Sequence, residues 1–293
     1  MTTFGVLGPL HVVDDDGAEI VLTGQRQRRL LCALLLHRGR VVSVDRLSEL
    51  VWDEDTPLDS AALQSLVFRL RQRVPGLDLE YRAPGYVLTV PDDRVDVARF
   101  EHLVFEAIER RGTDADQSCE LLDQALRLWR GDPFADLVDT DDARVEIDRL
   151  VEVRCRAHEE RLDLQLDLGG DAGAIADLEA FAAREPLRER PRHLLMRAYE
   201  SLGRRADALR VFDSYRRLLA DELGVAPSPE LRRRHEDLLA RDEVTLAPSV
   251  RPEQPRARSA LRTPTSTFIG RDDLVVDIID QFSRSRLITL IGP

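Results

Sequence analysis

Lysine is missing: all 42 basic side chains of the 293-residue chain are arginine. Its absence excludes lysine chemistry, including the lysine that anchors phosphate in a nucleotide-binding loop. Cysteine is scarce. Cys32, Cys119 and Cys155 are far apart and odd in number, which excludes a disulfide framework or a cysteine-based zinc site and fits a reducing cytoplasm. The six histidines are scattered, with no HExxH pattern and no His/Cys cluster. Aromatic residues make up 5% of the chain, so the cores are expected to be aliphatic. No apolar run reaches membrane-spanning length, and the opening MTTFGVLGPL has neither the charged start nor the long apolar stretch of a secretory signal. A cytoplasmic location and no membrane partner are the expectation. No Ser/His/Asp, paired-carboxylate or metal constellation appears, so no enzyme is expected, and Asp14–Asp16 and Asp139–Asp142 read as solvated turns.

What is present divides the chain. The composition is 43% hydrophobic, enough for packed cores, and the net charge is −12. That charge opposes indiscriminate nucleic-acid binding but leaves room for a local basic face. Residues 1 to about 92 read as mixed α/β. Phe4–Gly8, Leu10–Val13 and Glu19–Leu22 are strand candidates, separated by Pro9 and the turn Asp14–Gly17. Helices follow over Arg26–Gly39, Arg46–Trp52 with Ser43 as N-cap, and Ser60–Val74. Leu77–Val90 reads as a hairpin turned at Ala83-Pro84-Gly85.

Residues 97–240 carry a helical period throughout. The expected helices are Val97–Arg110, Asp116–Trp129, Asp141–Leu168, Ala172–Arg184, Pro191–Leu202, Arg204–Leu219 and Ser228–Leu239. Leu168-Gly169 recurs 34 residues later as Leu202-Gly203, and at the same shift Ala174 meets Ala208, Leu178 meets Phe212 and Phe181 meets Tyr215. That period with small and aromatic residues in register is the tetratricopeptide signature. Leu121–Trp129 has similar chemistry but breaks the register. Residues 241–265 hold four prolines and no sustained apolar period, and read as a linker. Residues 266–293 read as a helix followed by the strand Leu287–Ile291 and Gly292-Pro293, the opening of a nucleotide-binding domain without its phosphate-binding residues.

The helix Ser60–Val74 points to function. Leu63, Val67, Leu70 and Val74 make one buried stripe at i, i+4, i+7 and i+11. The remaining positions present Gln64, Ser65, Phe68, Arg69, Arg71, Gln72 and Arg73, and no acidic residue lies between Ser60 and Leu77. Arg26–Arg40 likewise has five arginines and no acid. An α-helix fits the DNA major groove, where Arg can bond guanine and Gln adenine, while neighbouring arginines hold phosphates. A solvated face on an arginine-rich helix would look similar. The order of three helices, with an acidic turn before the third and then a hairpin bearing Arg82 near its tip, favours a winged helix-turn-helix. A wing arginine can enter the minor groove.

These residues carry a resemblance. FGVLGPL (Phe4–Leu10), VVSVDRLSELVW (Val41–Trp52), LQSLVFRLR (Leu63–Arg71) and APGYVL (Ala83–Leu88) resemble the OmpR/PhoB-type winged-helix domain. ALRLWRG (Ala125–Gly131), EPLRERP (Glu185–Pro191), ADELG (Ala220–Gly224) and PSPELRR (Pro227–Arg233) resemble the bacterial transcriptional activation domain that follows it in the Streptomyces antibiotic regulatory protein family. The fold class implied is mainly α with a small β part: a winged helix-turn-helix over 1–92, then an all-α tetratricopeptide-like domain over 97–240. The function implied is a sequence-specific DNA-binding activator of antibiotic or secondary-metabolite genes. It would bind direct repeats near the promoter −35 region as a side-by-side pair, and recruit RNA polymerase holoenzyme, including its sigma factor.

By the same resemblance Arg69 and Arg71 match arginines of the recognition helix, and Gln64 and Ser65 match exposed positions nearer its start. Arg26 and Trp52 match positions that touch the DNA backbone, and Arg82 matches the minor-groove arginine of the wing. Phe68 and Leu66 depart from the pattern, Phe68 standing where a small or basic residue is usual. Phe268-Ile269-Gly270-Arg271 and the stretch to Pro293 resemble the start of the ATPase domain of larger members. Any ATP and Mg²⁺ belong to such a domain, and no cofactor is expected here. A signalling ATPase and a tetratricopeptide-type adaptor without a DNA role are the alternatives.

Overall fold

The structure is a computed structural model that describes residues 2–52, 60–137 and 141–245. It opens with β1 (Thr3–Gly5) paired antiparallel to β2 (His11–Val13), with Phe4 opposite Val12. The expected strand Phe4–Gly8 is cut to β1, because the next two amides bond elsewhere. Val6 and Leu7 N–H donate to the Asp96 carboxylate at 2.8 and 3.0 Å. The expected strand Glu19–Leu22 is reduced to a single bridge between Val13 and Glu19.

Helices α1 (Gln25–Leu36), α2 (Val44–Val51) and α3 (Ser60–Arg73) follow, with β3 (Val42–Ser43) between the first two. Ser43 caps α2 as expected, its hydroxyl accepting from Arg46 N at 3.2 Å. β4 (Asp78–Arg82) and β5 (Gly85–Thr89) form the hairpin, and β3 pairs with its second strand, so the sheet order is β3-β5-β4. Gly85 is required there: a Cβ at this position would meet the Val42 carbonyl oxygen.

After a 3₁₀ turn at Asp92–Arg94, the chain is helical: α4 (Asp96–Arg110), α5 (Ala115–Arg127), α6 (Asp141–Asp167), α7 (Asp171–Arg184), α8 (Arg190–Ser201), α9 (Arg205–Leu223) and α10 (Pro229–Thr245). α9 outlasts its expected end at Leu219 and stops where Gly224 takes a left-handed conformation, φ 67°. α10 runs through Thr245, so helix covers the first residues of the stretch read as linker. The rest of that stretch and the stub over 266–293 lie outside the described residues.

The 34-residue repeat is built into backbone geometry. Gly169 and Gly203 both have positive φ, 82° and 69°. Gly170 N–H bonds the Gln165 carbonyl at 2.9 Å, and the equivalent Arg204 N–H bonds the Tyr199 carbonyl at 2.8 Å. Ala174, Ala208, Leu178, Phe212, Phe181 and Tyr215 are all buried. Small residues let the helices approach while the aromatics fill the seam behind them, which is why the pattern shows in sequence.

Packing does not divide where the sequence composition does. One core runs from Phe4 through the winged-helix residues into Phe100, Leu122, Trp129 and Phe134, and takes in Leu150, Ala157 and Leu164 of α6. A second core holds Cys155, Leu162 and Leu166 of α6 with the inner faces of α7–α10. The long helix α6 is thus shared between them. Phe100 and Trp129 meet edge to face at 5.3 Å in the first core.

Polar contacts reinforce that first core. Buried Asp96 accepts the two amides named above and pairs with Arg130 at 3.1 Å. Arg130 N–H returns to the Leu7 carbonyl and Phe134 N–H to the Val6 carbonyl, both at 2.7 Å. Asp136 accepts from Leu10 N–H at 2.8 Å and from Arg28 Nε at 2.7 Å. The loop Val6–Leu10 is therefore held by residues some 90 to 130 positions away, and the N-terminal winged helix is fastened to α4 and the segment after α5.

Candidate nucleic-acid interface

α3 sits with its apolar stripe in the first core. Leu63, Val67, Leu70 and Val74 are buried as expected, and Leu66 is buried beside them. With about 100° between successive residues, Ala61, Ser65, Phe68 and Gln72 lie within about 40° of the line opposite this stripe, while Arg71 and Arg73 lie about 100° to its two sides. Gln64, Ser65, Phe68, Arg69, Arg71, Gln72 and Arg73 are all exposed.

The arginines divide by angle. Arg69, about 60° from the outer line, donates to the Ser65 hydroxyl one turn earlier at 3.2 Å. Arg71 reaches sideways to the wing, where its Nε and Nη2 bond the Leu79 carbonyl of β4. Arg73 leans to the other side and bonds the Val21 carbonyl at 3.2 Å. Arg71 thus braces the hairpin against α3 instead of standing free in the outward set. Among the described residues none of these three forms an ion pair with a carboxylate.

The wing places Arg82 at the end of β4, exposed and bonded to Glu80 Oε2 at 2.8 and 3.1 Å. Beside it Tyr81, 59% exposed, meets Tyr86 edge to face at 5.4 Å. Sequence reading passed over Tyr81; its cross-strand register with Tyr86 was the available signal. Trp52 is an interior residue, only 8% exposed, with the Arg26 guanidinium over its ring at 5.8 Å. Arg26 is the exposed member of that pair.

The arginines of α1 and its tail are less available than their count suggests. Arg28 is taken by Asp136, Arg29 bonds the Val51 carbonyl and Arg38 pairs with Asp92. They build the fold around α3. Sequence reading also missed Asp96, Arg130 and Asp136, because their partners are remote in the chain.

Among the described residues no group of His, Cys, Asp and Glu could hold a metal ion, and no helix is long and apolar enough to cross a membrane. Burial pushes the Cys32 thiol up, and pushes that of Cys155 up to about 11, so neither is a ready nucleophile.

Comparison with known proteins agrees with this geometry. Residues 17–92 match the family described as transcriptional regulatory protein, C terminal, and residues 95–239 match the bacterial transcriptional activator domain. The chain is 37% identical to the regulatory protein AfsR of Streptomyces coelicolor over 96% of its own length, but spans only 29% of that relative. It is 32% identical to the regulatory protein DnrI of Streptomyces peucetius, covering 81% of this chain and 92% of DnrI. The solved structure of Mycobacterium tuberculosis EmbR in complex with a low-affinity phosphopeptide is similar, with a TM-score of 0.76 and 33% identity over 82% of this chain and 65% of that one. A winged helix fastened to a tetratricopeptide-like helical domain, matched along nearly the whole of DnrI, places the chain: it belongs to the Streptomyces antibiotic regulatory protein family of transcriptional activators.

Proposed function

We propose that the chain binds double-stranded DNA sequence-specifically through α3 in the major groove, with Arg82 of the β4–β5 hairpin at the adjacent minor groove. The observation that supports this most is the outward face of α3: exposed Gln64, Ser65, Phe68, Arg69 and Gln72, without an acidic neighbour in the helix, on a chain of net charge −12. Gln and Arg side chains offer the donor pairs that read adenine and guanine edges. Arg26 serves a backbone phosphate from its seat on Trp52, and Arg71 sets the angle between helix and wing. Two copies side by side on a direct repeat would bring the helical domains toward the polymerase holoenzyme and its sigma factor, and solenoid surfaces suit such protein contacts. The genes served are those of a secondary-metabolite or antibiotic cluster, and the setting is the cytoplasm. ATP hydrolysis is not expected of a chain without lysine, and ATP turnover by the 293-residue protein would contradict that.

The test is selection of a preferred duplex from a random pool, followed by gel shift with Arg69→Ala. Loss of one base contact costs about 1–3 kcal/mol and relaxes preference at one position. An Arg69→Ala protein with unchanged affinity and unchanged preference would refute the assignment.

A further inference from the structure

Phe68 is the anomaly of α3. It is 63% exposed although it lies among polar and charged neighbours, and it points away from the buried stripe, about 40° from the line opposite it. Gln64 and Gln72 flank it one turn to either side, and Ser65 lies beside it. A phenyl ring there contributes nothing to the core, since Leu63, Val67, Leu70 and Val74 already fill that side. Its exposure disfavours the free protein and is relieved only when something apolar covers it.

What covers it must tolerate the surroundings. The adjoining charges on α3 are arginines without carboxylate partners among the described residues, so the complementary surface is anionic. It must also offer small apolar groups. A protein partner with an acidic, apolar surface could meet both demands. The helical ridge flanked by two glutamines fits a narrower match: the major groove of DNA, where the one apolar base substituent is the C5 methyl of thymine, next to the adenine edge that a glutamine can bond.

We propose that Phe68 reads a thymine methyl group, with Gln64 or Gln72 on an adjacent adenine, so that the centre of each half-site is A·T. This rests on the DNA-binding reading above. It makes Phe68 a specificity-determining residue beside Arg69, and gives Arg71 and Arg73, at the sides of the helix, the role of positioning.

The test uses the 293-residue chain and its selected duplex. Each thymine of the half-site is replaced in turn by deoxyuridine, which removes only the methyl group. Wild-type protein should bind about fourfold more weakly at one such position, the worth of one buried methyl group. Phe68→Ala should bind the thymine and deoxyuridine duplexes equally there. Should Phe68→Ala fail to fold or to bind, Phe68→Leu keeps the test open, with a methyl effect smaller than wild type. Specific binding by wild type with no methyl effect at any position overturns the proposal and leaves the DNA-binding reading intact. So does a methyl effect that Phe68→Ala retains. Normal methyl-independent binding by Phe68→Ala with transcription activation lost would assign Phe68 to a protein partner instead. Selection that yields no preferred sequence removes the DNA-binding reading itself.

Discussion

The helical domain and α3 use the same cation in opposite ways. In the helical half, arginines sit between carboxylates: Arg188 between Glu152 and Glu159, Arg197 between Asp163 and Asp167, and Arg161 between Asp123 and Asp177. Arg111 reaches Glu160, Asp163 and Asp167. Those charges are consumed in holding helices together. On α3, Arg69, Arg71 and Arg73 rest on a hydroxyl and two backbone carbonyls. Arg69 stays on the exposed side of the helix, and among the described residues none of the three has a carboxylate partner; a cation of that kind can release counter-ions from DNA. A net acidic protein can therefore present a basic face, because placement rather than total charge decides it.

The comparison can be broken in graded ways. The strongest is Asp96→Ala, which leaves two buried amides and Arg130 without their acceptor and should destabilise the first core by about 3 kcal/mol. Urea unfolding measures this. Arg188→Ala strands Glu159, whose side chain is only 6% exposed, and should cost about 2 kcal/mol in the same assay. Arg69→Ala should change stability by less than about 0.5 kcal/mol, since it touches nothing buried. If Arg69→Ala destabilised the fold as much as Arg188→Ala, the two uses of arginine would not be distinct.

The helical half also carries a pH dependence. Burial, then the nearby Arg154 and Arg184, lowers the His158 pKa from 6.5 to about 4. The unfolded chain binds the extra proton between these values, so stability is full above about pH 6.5 and falls as pH drops toward 4. The contribution is about 2 kcal/mol after allowance for partial exposure. Unfolding curves at pH 7 and pH 5 should show it, and His158→Gln should remove that share. The smallest effect expected is at the wing. Arg82→Ala should leave folding unchanged and lower the salt slope of DNA binding by about 1.

Much of this was legible in the sequence because it is periodic. The stripe Leu63, Val67, Leu70 and Val74 and the 34-residue repeat both declare burial through spacing alone, and both are buried. The exposed set on α3 followed from the same wheel. The strand beyond Gly5 was misread because its amides turn to Asp96, a partner no local pattern announces. The five arginines of Arg26–Arg40 show no acid nearby in sequence, yet Arg28 has its carboxylate in Asp136, 108 residues away. Trp52 shows the same limit: sequence puts it at a helix end, and only packing shows that it is interior with Arg26 over its ring. Long-range polar contacts set these details, and a single sequence does not pair them.

The central claim is that the acid-free face of α3 binds DNA despite the overall negative charge. Fluorescence anisotropy of the 293-residue chain on its selected duplex, titrated from low to physiological salt, tests it most directly. The account predicts an observed association constant that falls steeply with salt, by about one power of salt concentration for each phosphate contacted, and an affinity that drops further in Arg69→Ala. Binding that is insensitive to salt, or that Arg69→Ala leaves untouched across the whole range, would contradict it.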